Sequence, residues 1–77
     1  MSRKHLLVCG TKKQLPLFER IIKAIYNALP YGDWNLGVSE NGDLYLLGNY
    51  SSELAEDLEA LTERMVECPS DFDLDLE

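Results

Sequence analysis

Glu56, Glu59, Glu63 and Glu67 follow one another at steps of three, four and four residues, a spacing that lines four carboxylates along one side of a helix. Like charges at that spacing repel by roughly a few tenths of a kcal/mol per pair, and Glu63 and Glu67 also approach the negative end of the helix dipole. A helix selected for stability alone would place lysines there. The ridge reads either as a solubilising face or as a surface that meets a basic partner, with charge steering the encounter.

Asp71, Asp73 and Asp75 continue the acidity in a stretch that alternates acids with Phe72, Leu74 and Leu76. Acids at alternate positions suggest the opening of a calcium loop. Leu76 occupies the position where such a loop needs glycine, however, and the chain offers no bidentate glutamate beyond it, so no metal is expected. The stretch reads as a flexible acidic tail; as an added strand it would put Phe72 and its apolar neighbours on one face.

Cys9-Gly10-Thr11-Lys12-Lys13 lies where a strand gives way to a helix, a place where main-chain N–H groups can hold an anion. It lacks the spacing of a phosphate-binding loop, and helix capping accounts for it. A nucleophilic Cys9 would need a base, and the single histidine, His5, lies four residues back, about 13 Å away along a strand. No catalytic residue, cofactor or metal site is expected, and the chain is not read as an enzyme. Cys9 and Cys68 match no disulfide framework or metal-ligand spacing, and reduced thiols are the default. Asn49-Tyr50-Ser51 fits a glycosylation acceptor, a chance match in a chain with no secretory signal.

Charge is distributed unevenly. Residues 1–23 carry +5 and residues 24–77 carry −12, for a net −7 over 77 residues. That balance argues against direct binding to nucleic acid, which needs clustered Lys and Arg. No apolar run approaches the ~18 residues that span a bilayer, and the short apolar run after the basic start is no signal-peptide core, so neither a membrane nor secretion is expected and the cytoplasm is.

Positioning these residues requires a small set of elements. Leu6 to Cys9 reads as a short buried strand, β1, ended by Gly10. Leu15, Phe18, Ile22, Ile25 and Leu29 recur at helical spacing and define α1, which begins between Lys12 and Leu15 so that Pro16 falls in the first turn. Leu17, Ile21, Ala24 and Ala28 widen its apolar arc. Pro30 and Gly32 stop it. Asn41-Gly42 between residues 33–40 (β2) and 43–48 (β3) predicts a two-residue type I′ hairpin that pairs Val38 with Tyr45, Leu36 with Leu47 and Trp34 with Asn49. In that register Leu44 and Leu46 lie on the opposite face, as exposed side chains or as a contact patch. Ser51 or Ser52 caps α2, whose stripe of Leu54, Leu58, Leu61, Met65 and Cys68 runs to Pro69.

The order βαββα, with one main apolar stripe per helix, predicts an α+β two-layer sandwich: a three-stranded mixed sheet with two helices on one face. β3 is the most apolar strand and is placed centrally, giving β1-β3-β2, with β2 central as the alternative. Residues 1–69 form the globular domain and residues 70–77 the tail. The functional expectation is a small acidic module that occupies a basic surface of a larger, nucleic-acid-handling protein through Glu56, Glu59, Glu63, Glu67, Asp71, Asp73 and Asp75. In size and charge the chain resembles phage-encoded anti-CRISPR and anti-restriction inhibitors and bacterial nuclease-immunity proteins, a likeness that no motif carries. The alternative is a structural subunit or homodimer that uses Leu44, Leu46 and Phe72 as its interface.

Overall fold

A computed structural model describes residues 3–74. The elements follow in the order β1 (Arg3–Val8), a 3-10 turn (Lys12–Gln14), α1 (Leu15–Ala28), β2 (Trp34–Val38), β3 (Leu44–Gly48), α2 (Ser52–Glu67) and a second 3-10 turn (Pro69–Phe72). The Thr11 N–H donates to Gln14 Oε1 at 3.0 Å, and Pro16 lies in the first turn of α1, where its missing N–H removes no helical bond. Ser51 caps α2 by accepting the Leu54 N–H at 3.1 Å.

The strand order is β1-β3-β2, with both helices and the core on one side of the sheet. The mixed sheet expected from the sequence is not found, because both neighbouring pairs are antiparallel. α1 carries the chain back so that β2 runs in the direction of β1. The hairpin then returns β3 through the slot between them, antiparallel to both. The two parallel strands flank β3 and never pair with each other.

The hairpin differs from a type I′ turn by one residue. Ser39 N–H donates to Asp43 O and Gly42 N–H donates to Ser39 O, which makes Ser39 to Gly42 a type I turn with Gly42 at φ 89° as the bulge residue. Val38 therefore pairs with Leu44, Leu36 with Leu46 and Trp34 with Gly48. A one-residue slip exchanges the faces of a strand. Leu44 and Leu46 point into the core with no exposed surface, and Tyr45 and Leu47 turn to the open side. The expected apolar interface of Leu44 and Leu46 is thus the centre of the core.

Around them pack Leu17, Phe18, Ile21 and Ile25 of α1 and Ala55, Leu58 and Met65 of α2, with Leu7 from β1. The buried arc of α1 is centred on its Leu17–Ile21 side, so the outer members of the predicted stripe, Leu15 and Leu29, remain exposed. Thr62 is fully buried with its hydroxyl donating to Leu58 O at 2.7 Å. The chain past Pro69 is not a free tail as far as it is described. It folds back in the second 3-10 turn, Asp73 adopts a left-handed conformation (φ 58°), Phe72 packs half-buried against the core and Leu74 is 4% exposed.

Candidate partner-binding surface

α2 buries the side carrying Ala55, Leu58, Thr62 and Met65, and this rotation fixes where its acids go. Glu56, Glu63 and Glu67 are exposed, as are Glu53 and Asp57, and Arg64 is the one basic residue of the helix. No ion pair among the described residues engages Glu56, Glu63 or Glu67. Glu59 differs from its neighbours. It is half-buried, and its Oε1 lies 3.2 Å from His5 Nε2, which ties α2 to β1 and removes Glu59 from the free ridge. Glu56 and Glu63 sit one turn to either side of Glu59, so this carboxylate stripe runs along the β1 side of the helix.

Asp71 and Asp73 are exposed in and just after the 3-10 turn that follows α2, and extend the acidity past its C-terminus. Asp75 lies outside the described residues. Phe72, expected at an apolar interface, is partly buried and packs against the core. His5 also meets the edge of the Tyr50 ring, with centroids 6.4 Å apart, and Arg3 lies over that ring at 4.4 Å while donating to Tyr50 O at 2.7 Å. Arg3 is thus held by Tyr50 and His5 by Glu59, while Arg64 is exposed on α2 itself.

At the strand-to-helix turn of Cys9 to Lys13 two main-chain donors have partners within the fold. Gly10 N–H donates to Asp43 Oδ1 at 3.2 Å, which docks this turn on the hairpin, and Thr11 N–H is held locally by Gln14 as part of the helix cap. Gly10 and Gly42 make that docking close: a Cβ on Gly10 would lie 2.5 Å from Gly42 O, and one on Gly42 would lie 2.6 Å from the Thr11 carbonyl carbon. Cys9 and Cys68 are exposed free thiols, and His5 is bound to Glu59 and not to Cys9. No group of three His, Cys, Asp or Glu residues among those described is arranged to hold a metal ion, and no described helix is long and apolar enough to cross a membrane.

The open side of the sheet is a second surface, one that the predicted register misplaced. It carries Lys4 and Leu6 from β1, Tyr45 and Leu47 from β3 and Asn35 and Gly37 from β2. Lys4 Nζ sits 4.2 Å above the Tyr45 ring, and Leu6 is 39% exposed. Gly37 lacks the side chain that would close the sheet surface, leaving a shallow groove of about 200 Å3 lined by Lys4, Tyr45 and Leu47 among others. Comparison with protein-family models, curated proteins and solved structures finds no match to the chain.

Proposed function

We propose that this chain is a small acidic binding module that seats the exposed carboxylates of α2 on a basic surface of a larger, nucleic-acid-handling protein. One observation carries the reading: Glu56, Glu63 and Glu67 are exposed on one helix with no ion pair among the described residues to offset their mutual repulsion. Such a like-charge ridge lowers helix stability by roughly a few tenths of a kcal/mol per i,i+4 pair, and a cation bound beside it would reverse that term. Asp71 and Asp73, docked beyond the end of the same helix, add to the field that would steer a basic partner. Occupying such a surface would antagonise whatever nucleic acid binds there.

Affinity capture on the full chain at low and high salt, with mass spectrometry of the retained proteins, tests this. Retained basic proteins that elute with salt and are displaced by duplex DNA support the reading. Retention insensitive to salt overturns it, and elution by salt without displacement by DNA removes the nucleic-acid part.

A further inference from the structure

The two free edges of the sheet are not equivalent. Hydrogen-bonded pairs alternate along an antiparallel ladder, and the bonds of Ser39 to Asp43 and of Asn49 to Asp33 fix the phase between β2 and β3. Gly37 and Asn35 bond inward, so Trp34, Leu36 and Val38 direct their main-chain groups away from the sheet. The middle one is capped: Leu36 N–H donates to the Tyr26 hydroxyl at 2.8 Å. On the other side of β3 the phase is reversed, and Leu44, Leu46 and Gly48 bond to β1 at Val8, His5 and Arg3. Lys4 and Leu6 are left pointing their N–H and C=O groups outward, and no side chain among the described residues caps their N–H groups. Native sheets ordinarily cover or blunt such an edge, and here a β-bulge between Leu6 and Val8 confines the open stretch to residues 3–6.

We propose that the partner docks here, by adding an extended segment beside β1 as a fourth strand. This rests on the acidic-module reading above and names the chemistry of the partner. On an added strand, the residues opposite Lys4 and Leu6 face the open side, where Leu6 is 39% exposed and continuous with Tyr45 and Leu47. The residue opposite His5 faces α2, beside Glu59 and between Glu56 and Glu63. The segment that fits carries a Lys or Arg at that position and an apolar residue next to Leu6, an alternation of basic and apolar side chains. Arg3, on the helix side of β1 like His5, is held over Tyr50. A second copy of this chain fits poorly, because pairing β1 with β1 would bring the same acid stripe from each α2 toward the shared edge, on chains that each carry −7.

The test is a titration of the full chain, followed by NMR and amide hydrogen exchange, with a short synthetic peptide alternating Val and Lys. A peptide of the same composition with its lysines clustered serves as control. The expected result is tighter binding of the alternating peptide, with slowed exchange at the Lys4 and Leu6 amides. Leu6→Pro removes an outward N–H and no ladder bond, so the thermal melt should be retained while peptide affinity falls roughly tenfold or more. Leu36→Pro, on the opposite edge, should leave affinity unchanged. Shifts confined to α2 with no protection at Lys4 and Leu6 would overturn edge docking and leave the acidic surface standing. No binding by either peptide would overturn both. A concentration-dependent dimer abolished by Leu6→Pro would make a second copy the occupant and overturn the basic partner.

Discussion

Tyr26 of α1 lies flat on Trp34 of β2, ring centroids 5.6 Å apart and planes within 10°, and the same tyrosine holds the Leu36 N–H through its hydroxyl. One side chain thus packs the helix onto the strand and satisfies a donor at the strand's free edge. Tyr26→Phe separates these roles. It should keep the stack and lose only the hydrogen bond, lowering stability by about 0.5–1 kcal/mol because the site is partly open to water. Chemical denaturation measures the loss, and faster exchange confined to the Leu36 amide identifies its source.

Gly42 has a positive φ of 89° and lies against the main chain of Thr11. Gly42→Val meets both constraints, and backbone cannot move aside as a flexible side chain can. A loss of about 2–4 kcal/mol is expected, combining left-handed strain with separation of the hairpin from the strand-to-helix turn. A melting temperature within error of wild type would refute the turn described here.

Deleting residues 70–77 should destabilise the fold. Leu74 is 4% exposed and Phe72 packs against the core, and burial of a Leu side chain alone is worth roughly 1.5–3 kcal/mol. Comparison of urea midpoints for the full and shortened chains gives the answer; equal midpoints would mean that the docked turn contributes nothing.

Replacing Glu56, Glu63 and Glu67 with glutamine should leave the core stripe untouched and raise stability by roughly a few tenths of a kcal/mol through relief of repulsion. Partner affinity should fall, since amides keep the shape and lose charge-assisted hydrogen bonds. Glu59 is left intact because it pairs with His5. Salt-resolved binding of the triple variant to the captured partner is the measurement, and undiminished affinity would exclude the ridge.

Helix α2 and its acid ridge were legible because a 3.6-residue period and capping serine leave little freedom over sixteen residues. Strand order was legible because β3 is the most apolar strand and the middle of a sheet is its most shielded place. The hairpin register was not. Asn41-Gly42 serves a type I turn with a bulge as well as it serves type I′, and β3 is apolar on both faces, so no alternation of polar and apolar residues chose between them. That ambiguity hid Lys4, Leu6, Tyr45 and Leu47 as the open surface. The acidic stretch after Pro69 misled in another way: its charge masked the spacing of Phe72 and Leu74, which a turn with Asp73 left-handed brings onto the core.

The bulge at Gly42 makes the loop a frame selector for the sheet. β3 reads Leu44-Tyr45-Leu46-Leu47, and either alternate pair could fill much of the same core volume. Loss or gain of a single loop residue would therefore shift β2 against β3 by one position and turn over the face of one of the two strands, a larger change of surface than any one substitution in the strand could make. In a lineage of such chains, one-codon insertions and deletions at this turn would be the shortest route to a new sheet face on an unchanged set of strands and helices.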